Sequence, residues 1–120
     1  MTPFPGIRVL VVEDEGAIAM LIEEMLEDLG CTVVASVGRL ATALETARSV
    51  EVDLAILDVN LAGERVFPVA ERLRARKIPF LFSTGYGASG VSPEFAGFPV
   101  LHKPFSAAEL QAKVELALRG

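Results

Sequence analysis

Residues 9–15 read VLVVEDE, a run of branched apolar residues that ends abruptly at three acids. Three later apolar runs also end at reactive side chains, which are Asp58, the pair Ser83-Thr84 and the triplet His102-Lys103-Pro104. Continuous apolar runs of this length are typical of parallel strands that are buried on both faces. Parallel strands of an open α/β sheet present their carboxyl ends at one edge, where ligands bind. We therefore expect the acids, the hydroxyls and the lysine to converge at that edge.

The spacing of apolar residues between these runs predicts the helices. From residue 18 to residue 29 the apolar residues recur at helical intervals, and Gly30 follows as a stop signal. Similar stripes predict helices at residues 40–47, 66–73 and 110–118, the last opened by the capping-box pattern of Ser106 and Glu109. The predicted strands cover residues 7–12, 32–37, 52–57, 80–83 and 100–102. This alternation predicts an α/β fold with a doubly wound parallel sheet of five strands.

Three segments carry weaker or different signals. Residues 85–99 are crowded with glycine, serine and proline, so we expect a loop in which only residues 91–96 form about one helical turn. Gly63 marks another loop, and Pro68 fits a helix only within its first turn. A solvated helix face is predicted for the basic run Arg72, Arg74, Arg76 and Lys77.

The composition of the chain narrows the possible classes of function. A length of 120 residues fits one domain, here 1–120, and no apolar stretch approaches the roughly 20 residues that cross a bilayer. Eleven basic residues against sixteen acids give a net charge of −5, which argues against direct nucleic-acid binding. The start MTPFPGIRV lacks a secretory signal, and the single Cys31 cannot form an internal disulfide. We expect a cytoplasmic protein without a membrane or nucleic-acid partner.

Four motifs in order carry a resemblance to a known family. VLVVEDE at 9–15, LDVNLAGE at 57–64, the Ser-Thr pair at 83–84 and HKPF at 102–105 resemble the receiver domain of two-component response regulators. PFLFSTGYG at 79–87 is similar to the Phe-Ala-Thr-Gly signature of stand-alone receivers, with Ser83 in the place of alanine. The resemblance implies a flavodoxin-like sheet of order 2-1-3-4-5. It also implies a signalling protein rather than an enzyme, which takes a phosphoryl group from a sensor histidine kinase or a histidine phosphotransfer protein.

Phosphoryl transfer to a carboxylate requires a nucleophile, a metal ion and fixed donors for the remaining charge. Asp58 is the candidate nucleophile, and Asp14 and Asp58 are candidate direct ligands of a divalent cation. Glu13 is expected to act through water, and Asn60 through its backbone carbonyl. Two carboxylates about 4 Å apart repel each other by roughly 4 kcal/mol at an effective dielectric constant of 20, so clustered acids imply a cation. Oxygen ligands with retained waters favour Mg²⁺.

The remaining candidates lie on the later strands. Lys103 is expected to pair with the phosphoryl group, and the Thr84 hydroxyl to donate to one of its oxygens. Ser83 is interpreted as a packing residue, because only one residue at that strand end is expected to face the site. His102 should point to the opposite face of its strand from Lys103. Typical receivers carry an aromatic residue where this chain has Val100, so Tyr86 is considered as an alternative carrier of the signal.

Two other functions are compatible with parts of this pattern. A Mg²⁺-dependent phosphohydrolase would also use Asp58 as nucleophile, but it usually needs a second acid two residues later, where this chain has Asn60. A flavodoxin-like nucleotide or flavin binder would need a phosphate-cradling loop after the first strand, where the acids 13–15 repel phosphate. We therefore predict a single-domain response regulator that signals through protein contact or phosphorelay.

Overall fold

The computed structural model describes residues 2–85 and 90–120. Its helices and strands follow the predicted alternation, with a short additional hairpin after the third strand. In chain order they are β1 (Arg8–Val12), α1 (Gly16–Asp28), β2 (Thr32–Val37), α2 (Leu40–Ser49), β3 (Leu54–Asp58), β4 (Asn60–Leu61), β5 (Glu64–Arg65), α3 (Phe67–Ala75), β6 (Phe80–Thr84), β7 (Val100–His102) and α4 (Ala107–Arg119).

The main sheet has five parallel strands in the order β2-β1-β3-β6-β7. With the hairpin strands left out of the count, this is the expected order 2-1-3-4-5, so the flavodoxin-like doubly wound fold is confirmed. The inner strands β3 and β6 are buried along their whole length. Their continuous apolar sequences follow from this burial, because both faces of each strand are covered by helices.

Helices cover the two faces of the sheet in pairs. On one face, α2 and α3 pack on a cluster that includes Leu10, Ala55 and Phe82. On the other face, α1 and α4 pack on a cluster that includes Ile56 and Leu81. Alternate residues of each strand therefore belong to opposite clusters, and this alternation fixes which residues at the strand ends share a face.

The hairpin of β4 and β5 was not predicted. Asn60 pairs with Arg65 in an antiparallel register, and the turn between the strands has positive φ angles at Ala62 (51°) and Gly63 (92°). Two positive φ angles define a type I′ turn, in which glycine is favoured at the second position. The predicted loop at Gly63 is therefore a tight turn that holds the chain just beyond Asp58.

The segment between β6 and β7 contains the expected short helical turn. It is a 3-10 turn at Pro93–Phe95, inside the predicted residues 91–96, and Phe95 is fully buried. The Phe95 ring stacks on Phe67 with 5.7 Å between ring centroids, and Phe98 stacks on Phe80 at 4.3 Å. Aromatic burial thus holds this segment in the absence of a regular helical stripe. The proposed role of Tyr86 falls on residues 86–89, outside the described part of the chain.

The prediction of a solvated basic face on α3 is only partly right. Arg72 and Arg74 are exposed, but Arg72 Nη1 donates to the carbonyl oxygen of Leu44 at 3.0 Å. Arg76 Nη1 donates in the same way to the carbonyl oxygen of Ala47 at 3.0 Å. The Arg74 guanidinium lies 4.6 Å from the centroid of the Phe95 ring, a cation–π distance. These arginines therefore join α3 to α2 and to the 3-10 turn.

Two further predictions on the helices are confirmed. Pro68 lies in the first turn of α3, where its missing N–H would have no helical partner. The capping box at the start of α4 is complete: the Glu109 backbone N–H donates to Ser106 Oγ at 3.1 Å, and the Ser106 N–H donates to Glu109 Oε1 at 2.9 Å. No helix in the described ranges is long and apolar enough to cross a membrane.

Candidate functional site

The buried polar side chains gather at one edge of the sheet. Among residues 2–85 and 90–120, the buried polar or charged residues are Glu13, Asp58, Ser83 and Thr84. Glu13 directly follows β1, Asp58 is the last residue of β3, and Ser83 and Thr84 end β6. The expected convergence of these groups at the carboxyl edge is therefore confirmed for three neighbouring strands.

Three acids form the centre of this site. Glu13, Asp14 and Asp58 each offer a carboxylate oxygen, and these oxygens lie within 4.8 Å of one another. Glu13 and Asp58 are buried, whereas Asp14 is exposed at the rim. Asp14 and Asp58 border an open pocket of about 400 Å³, whose lining also includes Asn60 and Lys103. Clustered oxygens beside open space are a suitable donor set for a hard cation.

Lys103 lies between the two buried acids. Its Nζ donates to Glu13 Oε1 at 2.7 Å and to Asp58 Oδ2 at 3.2 Å, and its side chain is only 17% exposed. The peptide bond from Lys103 to Pro104 is cis. The other Glu13 oxygen, Oε2, accepts a hydrogen bond from the Glu15 backbone N–H at 3.1 Å. Glu13 is thus held mainly by Lys103.

The protonation equilibria of the site reflect this crowding. Burial, together with the negative charge of Glu13, raises the pKa of Asp58 from 3.8 to about 7, although Lys103 partly offsets the rise. Burial alone would lower the pKa of Lys103, but its contacts with Glu13 and Asp58 outweigh burial and raise that pKa. Partial burial works to raise the pKa of Asp14, yet hydrogen bonds with Asp58 and the Ala62 backbone lower it overall. The crowding of the acids therefore acts mainly on Asp58, whose ionised form it disfavours.

The hairpin after β3 is bound to the acids by backbone N–H groups. The Asn60 N–H donates to Asp58 Oδ1 at 3.3 Å, and the Ala62 N–H donates to Asp14 Oδ2 at 3.1 Å. The Asn60 side chain turns inward on its own hairpin, where its Oδ1 accepts from the Gly63 N–H at 2.7 Å. Sequence reasoning assigned Asn60 a role through its carbonyl and missed these contacts, because hairpin strands of two residues leave no readable apolar pattern.

The two hydroxyl residues of β6 occupy different positions. Asp58 pairs with Ser83 in the register of β3 and β6, and Thr84 pairs with His102 in that of β6 and β7. By strand alternation Ser83 follows the face of Leu81, which is also the face of Asp58. Thr84 continues the face of Phe82, so its hydroxyl would have to reach the pocket over the strand end. The interpretation of Ser83 as a packing residue depends on which face of the strand meets the site, and the sequence alone does not show that face.

The other residues singled out by sequence lie apart from the acidic cluster. His102 is exposed. Cys31 is buried and has no disulfide partner. One contact that sequence reasoning missed joins the hairpin to the segment after β6: Arg65 Nη2 donates to the Gly90 carbonyl oxygen at 2.6 Å. The Arg65 guanidinium also lies 5.2 Å from the Phe67 ring centroid.

Comparison with known proteins identifies the family. Residues 9–115 match the response regulator receiver domain, and the chain belongs to this family. The transcriptional regulatory protein PdtaR of Mycobacterium tuberculosis is 30% identical over 115 residues, a match that covers 92% of this chain and 56% of PdtaR. The chain thus spans about half the length of curated relatives such as PdtaR.

Two solved structures place the chain more closely. The solution structure of SdrG from Sphingomonas melonis Fr1 is 45% identical, with a TM-score of 0.83 and coverage of 100% of both chains. The receiver domain of the sensor histidine kinase PA1611 from Pseudomonas aeruginosa PAO1 was solved with magnesium coordinated in its active-site cleft. It is 27% identical, with a TM-score of 0.80, and the match covers 96% of this chain and 99% of that one. Receiver domains are modules of two-component signalling. This chain is similar both to SdrG and to the PA1611 receiver domain.

Proposed function

We propose that the chain is a single-domain response regulator that accepts a phosphoryl group on Asp58 from a sensor histidine kinase or a histidine phosphotransfer protein. The observation that carries this proposal is the position of Asp58 in a receiver-family chain: it borders an open acidic pocket, with Lys103 Nζ at 3.2 Å. The match to SdrG over the whole of both chains supports a single-domain role. The buried, unpaired Cys31 is consistent with the proposed cytoplasmic setting.

The chemistry follows from the contacts of Asp58. A carboxylate oxygen of Asp58 forms a bond to phosphorus while the P–N bond of the donor histidine breaks, and the imidazole leaves with the bonding electron pair. Lys103 keeps part of the Asp58 population ionised, because its ammonium offsets the effect of Glu13 on the pKa of Asp58. In the product, Lys103 would neutralise a phosphoryl oxygen, and Thr84 would donate to another at the strand edge.

A divalent cation is part of the proposal. Glu13, Asp14 and Asp58 fit a hard cation, since their carboxylate oxygens lie within 4.8 Å of one another. Asp14 and Asp58 would bind Mg²⁺ directly, with Glu13 acting through water and Asn60 through its carbonyl. When bound, the cation would neutralise phosphate oxygens and reduce repulsion among the acids.

Signalling rather than enzyme turnover is the proposed outcome. A phosphohydrolase of this type needs a general acid two residues after the nucleophile. Here that residue is Asn60, which has no acidic proton and whose side-chain oxygen accepts from Gly63 at 2.7 Å. The phosphorylated chain would act by contact with a protein partner or by passing its phosphoryl group onward.

A phosphotransfer assay with a labelled phosphohistidine donor tests the acceptor. Asp58→Asn should lose the label, while the matched control Asp53→Asn should keep it. Asp53 directly precedes the first residue of the same strand, and its Oδ2 accepts from the Arg8 N–H at 2.9 Å. Undiminished labelling of Asp58→Asn would show that another residue accepts the phosphoryl group.

The metal is tested separately by thermal unfolding with and without Mg²⁺. Binding to the folded state should raise the melting temperature of the unaltered chain by mass action. Asp14→Ala should remove this rise, whereas Asp28→Ala, an exposed acid at the end of α1, should keep it. A full Mg²⁺ response in Asp14→Ala would contradict the proposed ligand set.

A further inference from the structure

The Ser83 hydroxyl is an exception to the usual pairing of buried polar groups. Ser83 is 1% exposed. Among the buried side-chain nitrogen and oxygen atoms of residues 2–85 and 90–120, its Oγ is the one that has no hydrogen-bond partner. Most buried hydroxyls are paired, because an unpaired one loses its hydrogen bonds to water without replacement. A hydroxyl retained in this position therefore needs a physical reason.

The position of Ser83 suggests that reason. Ser83 pairs with Asp58 on one side and with Leu101 on the other. Leu81 and Ile56 belong to the same core cluster, and Ser83 and Asp58 each lie two residues further along their strands. They therefore share one face of neighbouring strands, which lie about 4.8 Å apart. The Ser83 hydroxyl is therefore carried on the strand position directly beside Asp58, on the same face of the sheet.

In the resting structure Asp58 already has its donors. Lys103 Nζ donates to Oδ2 at 3.2 Å, and the Asn60 N–H donates to Oδ1 at 3.3 Å. Phosphorylation would add three oxygens to this group and bring no protein donor with them. The number of acceptor oxygens at Asp58 therefore rises in the phosphorylated state, and Ser83 Oγ is a donor that the resting state leaves unused.

We infer that Ser83 is a positioning residue whose hydroxyl donates a hydrogen bond to the phosphorylated Asp58 side chain. This inference rests on the proposed function of Asp58 as acceptor. A hydrogen bond that forms only in the loaded state stabilises that state relative to the resting one. The hydroxyl thus favours retention of the phosphoryl group without contributing to the resting fold.

The test uses beryllofluoride with Mg²⁺ as a non-covalent substitute for the phosphoryl group. We would titrate it into the unaltered chain, Ser83→Ala, Ser83→Cys and the control Ser36→Ala, an exposed serine on β2. Both Ser83 variants should bind beryllofluoride about tenfold more weakly, the effect of losing one hydrogen bond to a charged acceptor. Binding of Mg²⁺ alone should not change, and resting Ser83→Ala should be no less stable to urea. Ser36→Ala should behave like the unaltered chain.

The two variants separate hydrogen bonding from packing. Cysteine fills the volume of serine but is a poor donor, so a defect confined to Ser83→Ala would indicate packing and overturn the inference. Equal beryllofluoride affinity in all four proteins would also overturn it, while leaving Asp58 as the acceptor. If the unaltered chain neither binds beryllofluoride nor accepts a phosphoryl group, the proposed function itself is wrong and the inference falls with it.

Discussion

Raising the pH of the metal-free protein should lower its free energy of unfolding, because the folded state disfavours the ionised form of Asp58. Burial and the charge of Glu13 raise the pKa of Asp58 from 3.8 to about 7 in the folded state. The folded state therefore binds more protons than the unfolded state between these values. Stability is then highest when Asp58 is protonated and falls as the pH rises through this window.

The magnitude follows from the linkage relation. Each pH unit within the window costs about 1.4 kcal/mol, so the loss between pH 5 and pH 8 is roughly 2–3 kcal/mol. Asp58 is only 6% exposed, so solvent screening reduces this value little. The pKa of Asp14 is lowered, and its favourable contribution is complete above its ordinary value of 3.8 and does not change across this range.

Urea unfolding at pH 5 and pH 8 in the presence of a chelator measures the effect. Asp58→Asn removes the titrating group, so the variant should be less dependent on pH than the unaltered chain and more stable than it at pH 8. The difference between the two proteins cancels the contributions of groups that titrate equally in both. Mg²⁺ should restore part of the stability of the unaltered chain at pH 8. Parallel pH dependence in the two proteins would refute the assignment of this cost to Asp58.

Three further substitutions test other contacts, each by urea unfolding. Lys103→Met leaves Glu13 and Asp58 buried without the Lys103 ammonium. It should lower the free energy of unfolding by about 3–5 kcal/mol at pH 8 and by less at pH 5, where Asp58 takes up a proton. Equal losses at both pH values would contradict this. Phe95→Ala removes the fully buried ring of the 3-10 turn and should cost about 3–5 kcal/mol; a loss below about 1 kcal/mol would mean that the aromatic cluster does not hold this segment. Ser106→Ala removes the side-chain acceptor that caps α4 and should cost about 1 kcal/mol, and an unchanged midpoint would show that this capping box contributes nothing.

The elements of the fold could be predicted because each carries a periodic apolar signal. The strands β3 and β6 are wholly buried, and α1 has a regular stripe of apolar residues, so their sequences show directly which residues are buried. The hairpin at residues 60–65 carries no such signal, since its strands have two residues each. Its turn also depends on a positive φ angle at Ala62, which the identity of that residue does not predict.

The sequence predicts which residues gather at the candidate site but not which of them contact one another. Strand ends identified Glu13, Asp58 and Lys103, because parallel strands bring their carboxyl ends together. The contact of Lys103 with Glu13 joins residues 90 positions apart in the chain, and no local pattern shows it. The same limit applies to Ser83, whose place beside Asp58 depends on the register of β6 against β3. Register is a property of the assembled sheet, so sequence reasoning chose between Ser83 and Thr84 without it.

The energetic cost of the site is confined to one edge of the sheet. In the described residues the buried polar groups all lie at the carboxyl ends of β1, β3 and β6, above strands that are otherwise apolar in the core. Replacing a buried ion pair by apolar residues of similar volume is often neutral or stabilising. The contribution of Lys103 and its two acids to stability therefore does not explain why the chain has these three residues. The three clustered acids repel one another, and the proposed cation would relieve this repulsion. If the proposed cation binds, we expect the stability of this protein to depend on what occupies the pocket. Substitutions at this edge should accordingly be judged by ligand-induced stabilisation as well as by the stability of the resting chain.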